Sequence, residues 1–193
     1  MQPGTMGAMR LPSVLTTRDL PWAELQAARI DGDLVGLGTA FTPLDEPVAA
    51  EHRARAVHAD HVDRVIAEQR SAAWIWGAMA TPPPRPELCV AIGARVRSHH
   101  TTPVREVVIE PGEISLVDGL QVTSPLRTVL DLARFSETFG AAEHDMVAAL
   151  LTGAGLVLDD CVAELLRRRN LPNKRRALER LAAFGRGQPL LTR

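Results

Sequence analysis

The stretch L-Q-V-T-S-P-L-R-T-V-L-D-L-A-R, residues 120–134, decides how the chain is read. It reads as a short strand running straight into a helix. Thr123 or Ser124 offers a side-chain oxygen to the free N–H groups of the first turn, and Pro125 sits at the first helical position, where its missing N–H costs nothing. Leu126, Val129, Leu130 and Ala133 recur at steps of three and four, the spacing of one buried helical face. Arg127 and Asp131 stand one turn apart and are expected to pair, and Arg134 lies near the negative end of the helix dipole. By periodicity alone this is a core helix whose charges brace each other, with any functional surface elsewhere.

Three more helices are expected after it. Residues 139–151 present Met146, Val147, Leu150 and Leu151 inward and stop at Gly153 and Gly155. Asp159 is read as the cap of a helix over 160–169, and Asn173 as the cap of one over 174–184. The joint between them, R-R-R-N-L-P-N-K-R-R, is a cationic corner. Residues 167–186 hold eight Lys or Arg against one carboxylate, Glu179. Such a corner can follow a nucleic-acid backbone, or be a solvated polar face.

On the N-terminal side of the opening stretch lies a hairpin turning at Asp118-Gly119. A three-residue loop pairing Leu116 with Val122 keeps Leu116 on the buried side, so that register is expected over the two-residue one. A strand is expected over 105–110, and another over 88–97, where Leu88, Val90, Ile92, Ala94 and Val96 alternate with the opposite face. Arg95 and Arg97 then project together beside His99 and His100. They form either a phosphate-binding or acid-binding patch or a solvated strand end.

Upstream of Pro82-Pro83-Pro84, Ser71 is read as the cap of A-A-W-I-W-G-A-M, a helical piece apolar all round and hence buried. Trp74 and Trp76 are expected as core anchors, because base stacking needs open rings. Residues 48–69 carry apolar positions near a 3.6 period and are expected as one long helix. Residues 11–43 suggest a turn of helix at 18–20, a helix over 22–30 opened by Pro21, and a glycine-bent ribbon from Leu34. Helix, helix and ribbon in that order outline a reduced winged helix-turn-helix, or a small cap on the main domain.

The global properties bound these readings. A hydrophobic fraction of 46% with 23% charged residues over 193 residues is ordinary for a globular chain, and a net charge of −1 gives no overall pull toward nucleic acid. Cys89 and Cys161 sit in apolar patterns far apart and read as buried thiols in a reducing cytoplasm, with a disulfide between them as the alternative. There is no apolar run of membrane-spanning length. No Gly-rich phosphate loop, nucleophile elbow, Cys-x-x-Cys pair or zinc ligand set is found, so neither an enzyme nor a metal or cofactor site is expected.

The residues together resemble a family. V-T-S-P-L-R-T-V-L-D-L-A-R, residues 122–134, is similar to the signature of the AbiEi-type antitoxins of actinobacteria, of the type IV toxin-antitoxin class. S-A-A-W-I-W-G-A-M, residues 71–79, resembles that family's Trp-Gly helix, and residues 15–43 resemble its winged helix in shortened form. In this resemblance Thr123, Pro125, Arg127, Thr128 and Asp131 are the structural signature. The chain is then expected as an α+β protein with four parts: a disordered leader at 1–10, a winged-helix-like domain at 11–46, an antitoxin-like domain with a small mixed or antiparallel sheet at 47–185, and a tail at 186–193. The resemblance implies a non-enzymatic regulator that binds its own promoter, represses its operon and counters a nucleotidyltransferase-type toxin, in the cytoplasm that the cysteines and the lack of a membrane-spanning run already suggest. Contacts to DNA would then come from Arg10, Arg18 and Arg29, with Arg95, Arg97, Arg167, Arg168, Arg169, Lys174, Arg175 and Arg176 as auxiliaries. The alternative is a protein-interaction module whose degenerate winged helix binds a protein partner and not DNA.

Overall fold

The computed structural model describes residues 12–59, 64–94 and 104–187. The fold is α+β, as expected. Its N-terminal part is α1 (Trp22–Asp31) followed by an antiparallel ribbon of β1 (Leu34–Leu37) and β2 (Ala40–Pro43). Pro21 precedes α1, and Gly32, at φ 86°, ends it. The helical turn expected at 18–20 is a non-helical turn. The Asp19 carboxylate accepts from the Thr16 N–H (2.8 Å) and lies 3.0 Å from its hydroxyl, so the local polar groups are satisfied without a helix. Leu15, Leu25, Leu34 and Phe41 form a small cluster here, while Val14, Leu37 and Ala40 join the main core.

The remaining elements are α2 (Ala50–Ala59), β3 (Ile66–Ala67), α3 (Gln69–Ile75), β4 (Leu88–Ala91), β5 (Val104–Val107), β6 (Ile114–Val117), β7 (Leu120–Thr123), α4 (Pro125–Phe135), α5 (Ala141–Ala154), α6 (Leu158–Arg167) and α7 (Lys174–Gly187). The sheet is mixed, in the order β5-β4-β3-β7-β6. Its central strand β3 has two residues, antiparallel to β4 and parallel to β7. One face carries Ala67, Leu88, Val90 and Val122 against α2 and α3, and the other carries Ile66, Cys89 and Val107. α4 is the hub of the helical layer and touches α3, α5, α6, α7 and β7. Among the described residues, no single helix is long and apolar enough to cross a membrane.

Five further expectations are corrected. The helix read over 48–69 is split: α2 covers its first part, and Arg64, at φ 80°, leads into β3. Val65, Ile66 and Ala67 fit a helical period, but they are the short, fully buried centre of a sheet, where a run of apolar residues carries no usable period. Ser71 lies inside α3 and does not cap it; its hydroxyl is buried and accepts from the Glu87 N–H (2.8 Å). The strand read over 88–97 ends at Ala91, and Leu88, Cys89 and Val90 are all buried because both sheet faces are covered there.

The hairpin takes the two-residue register, with Leu116 opposite Gln121. Asp118 and Gly119 both have positive φ, 45° and 83°, the geometry of a type I′ turn whose twist suits the flanking strands. The turn wins over burial, and Leu116 is left 72% exposed. Finally, α6 starts at Leu158 and ends at Arg167. Asp160, in place of Asp159, closes its first turn by accepting from the Val157 N–H (2.9 Å). Arg168 turns extended and Asn170 takes a positive φ of 54°, which breaks the helix two residues before the expected end.

Candidate functional site

α4 begins as its sequence dictates. Ser124 Oγ accepts from the Arg127 N–H at 3.3 Å, with Pro125 at the first helical position. The Thr128 hydroxyl is 2.8 Å from Thr123 Oγ1, 3.1 Å from Thr123 O and 2.9 Å from Ser124 O, tying β7 to α4. Trp76 Nε1 donates to Thr123 O at 2.8 Å, so Trp76 and the fully covered Trp74 are anchors of this junction.

Every residue of α4 from Arg127 to Arg134 is buried, including three charged ones. Arg127 Nε donates to Asp131 Oδ2 at 2.7 Å and its Nη1 to Glu113 Oε1 at 2.8 Å. Arg134 Nη1 donates to the other Asp131 oxygen at 2.9 Å, and its Nε to Pro172 O at 2.9 Å. Arg168 Nη2 lies 2.7 Å from Glu113 Oε1, and its Nε donates to Glu164 at 2.6 Å. The network therefore joins α4, the turn at Pro111–Glu113 and the end of α6. Alongside it, Arg105 of β5 grips the buried Glu68 with two donors (3.1 and 2.6 Å). The guanidiniums of Arg105 and Arg134 lie 4.1 and 4.4 Å from the centroid of the Phe135 ring.

These groups wall a cleft of about 680 Å³ between α4, β5 and the joint from α6 to α7. Six arginines line it: Arg105, Arg127, Arg134, Arg167, Arg168 and Arg169. Two carboxylates, Glu106 and Glu110, and the apolar Ile92, Val108, Leu171 and Pro172 are also part of the lining. Arg127 and Asp131 brace each other as their spacing predicts, and the fold brings Arg127 together with three residues of the cationic corner. Arg105 and Phe135 carried no signal in the sequence, because an isolated Arg on a strand and an aromatic at a helix end are ordinary.

The other candidates are dispersed. Lys174 Nζ donates to Leu166 O (3.1 Å) and Arg168 O (2.7 Å), closing the C-terminus of α6. Arg176 and Arg180 do the same for α4 through Ser136 O and Glu137 O. Arg175 is exposed and pairs with Glu179 at 3.0 Å. Arg18 and Arg29 are exposed on the N-terminal part, remote in sequence from the cleft. Arg10, Arg95 and Arg97 lie outside the described residues. Among the described residues, no group of three or more His, Cys, Asp or Glu side chains could hold a metal ion.

The model of the AbiEi antitoxin C-terminal domain matches residues 65–182, more than half of the chain and the whole of this network. The chain belongs to the AbiEi antitoxin family. The match begins at β3 and runs into α7, so the sheet, α4 and the cleft all lie within the family's domain. No curated protein matches the chain. Among solved structures, a likeness is found to the RV2827C protein from Mycobacterium tuberculosis, at 18% identity and a TM-score of 0.46, covering 90% of this chain and 73% of that one.

Proposed function

We propose that the chain is an antitoxin-type regulator that binds the promoter of its own operon and opposes a nucleotidyltransferase-type toxin encoded beside it. The observation that carries this reading is the family match over residues 65–182. The N-terminal part supports a DNA-facing role by its shape: of α1 only Leu25 is buried, so nearly all of the helix faces outward beside the β1–β2 ribbon. Arg18 and Arg29 are the cations placed to meet DNA there, and the exposed Arg167, Arg169 and Arg175 would add phosphate contacts. Fluorescence anisotropy on the promoter fragment tests the DNA half. Saturable binding that weakens with salt and with Arg29→Ala is expected; no binding at low salt would overturn it. Co-expression with the adjacent gene tests the toxin half, and failure to restore growth would overturn that.

A second reading is favoured by one specific observation. The N-terminal part holds Arg18 and Arg29 against Asp19, Glu24, Asp31, Asp33, Asp45 and Glu46, and it exposes Trp22 (53%), Ile30 (84%) and Leu44. An acidic surface with open apolar side chains suits a protein partner better than phosphates. In that case the adjacent gene product co-purifies without nucleic acid, and Ile30→Glu releases it.

A further inference from the structure

We propose that the cleft between α4, β5 and the joint from α6 to α7 is a binding site for a small phosphate ester, of about the size of a mononucleotide. Three guanidinium groups on the cleft wall carry an N–H end that no acceptor among the described residues engages. The side chains of Arg127 and Arg134 are 4% and 5% exposed, and each engages protein acceptors through Nε and Nη1. Neither Nη2 makes a hydrogen bond to a described residue, and both side chains line the cleft. Arg105 engages Glu68 through Nε and Nη2, no described residue accepts from its Nη1, and its side chain lines the same cleft. Arg70 Nε is the side-chain nitrogen or oxygen among the described residues that is both buried and without a hydrogen-bond partner, so solvent reaches the Nη2 ends in the cleft, and an incoming anion would replace water at donors already held in place.

The arrangement selects the ligand's chemistry. Three guanidinium ends, each fixed from behind by a carboxylate or a carbonyl, offer planar and rigid N–H pairs that suit oxyanions. A terminal phosphate presents three oxygens to three such ends, whereas a carboxylate presents two. The charges behind the wall are largely balanced, because Glu68, Glu113, Asp131 and Glu164 each hold one or more of the arginines. The site therefore works by directed hydrogen bonds more than by net field, which suits one small anion over a long polyanion. The volume falls in the range of small-molecule sites, and the wall of Ile92, Val108, Leu171 and Pro172 gives the ester's organic part an apolar seat. Nothing in this inference depends on DNA binding by the N-terminal part.

Isothermal titration of the full chain with inorganic phosphate, sulfate, adenosine 5′-monophosphate, guanosine 5′-monophosphate and the two nucleosides tests it. The expected result is 1:1 binding of at least one nucleotide, at least tenfold tighter than phosphate, with no binding of the nucleosides. Arg134→Lys keeps the positive charge beside Asp131 but removes the free Nη2, and should weaken binding at least tenfold. Val108→Glu changes an exposed wall residue, leaves the fold intact, and should abolish binding. Equal, weak binding of phosphate and sulfate would mean an adventitious ion only and would overturn the proposal. So would the absence of binding by every probe at millimolar concentration, or nucleotide binding that Val108→Glu leaves unchanged.

Discussion

Asp131 shows what a single residue can hold together. It is wholly buried, and each of its oxygens accepts from a different buried guanidinium. Asp131→Asn keeps the shape but leaves Arg127 and Arg134 without their counter-charge. Breaking a buried ionic cluster by removing one partner typically costs about 3–5 kcal/mol, so urea unfolding should show a loss of that order. A loss below about 1 kcal/mol would mean that the cluster contributes little. The pairing with Arg127 was legible from i,i+4 spacing; the shares of Glu113 and Arg168 were not, because no periodicity links residues so far apart. Glu164 gives a pH-dependent counterpart. Hydrogen bonds from Arg167 and Arg168 hold its carboxyl down at about 2, against the opposing pull of burial. A carboxyl whose folded value lies below the unfolded one of about 4.3 stabilises the fold fully above the unfolded value and loses that contribution as pH falls through the folded one. The stability gap between the natural chain and Glu164→Gln should therefore be constant above about pH 5 and close toward pH 2. Cys89 and Cys161 are free and fully covered, and burial pushes both thiols up, Cys161 to about 11. A thiol reagent such as Ellman's should accordingly find neither in the native protein and both after denaturation; reaction in the folded state would contradict the burial of the pair.

At the level of elements, α4 was legible and the β6–β7 hairpin only half so, for reasons that the turn makes concrete. α4 carries agreeing signals, with a cap, a proline at the first position, an apolar stripe and an i,i+4 ion pair, so its limits follow from the residues. In the hairpin the local turn and the burial of Leu116 disagree, and the turn prevails. Gly119 sits at φ 83°, and an added methyl group would meet nothing nearer than the His58 ring at 3.7 Å. Gly119→Ala should therefore cost about 1 kcal/mol or more through backbone strain without any clash. If instead the midpoint of thermal unfolding stays unchanged, the type I′ turn is not what sets the register. Asp118 is tied to Arg55 of α2 by two hydrogen bonds (2.7 and 2.9 Å), which anchors the turn from a distant element, but the pair is solvent-accessible and adds little by itself. The break between α2 and α3 was misread because β3 is only two residues long. A strand that short, buried on both faces, leaves no alternation to detect.

For the molecule as a whole, the sequence pointed to the family through α4, while the cleft stayed hidden because its walls come from β5, α4 and the α6–α7 joint, which only the fold brings together. The same interdependence applies to the N-terminal part. Its own cluster comprises Leu15, Leu25, Leu34 and Phe41, too little apolar area for about 40 residues to offset their conformational entropy. Val14, Leu37 and Ala40 are shared with the main core, packed with Ala54 and Val57 of α2 and with Trp74 of α3. The N-terminal part is therefore held in shape by the sheet domain, whatever it binds. Residues 1–46 expressed alone should show the narrow amide dispersion of an unfolded chain in proton NMR. Residues 47–193 should fold with a lowered thermal midpoint, because removing the ribbon uncovers part of α2. A well-dispersed spectrum from residues 1–46 would show that this part folds autonomously, and an unchanged midpoint in residues 47–193 would show that Val14, Leu37 and Ala40 contribute nothing to the core they enter.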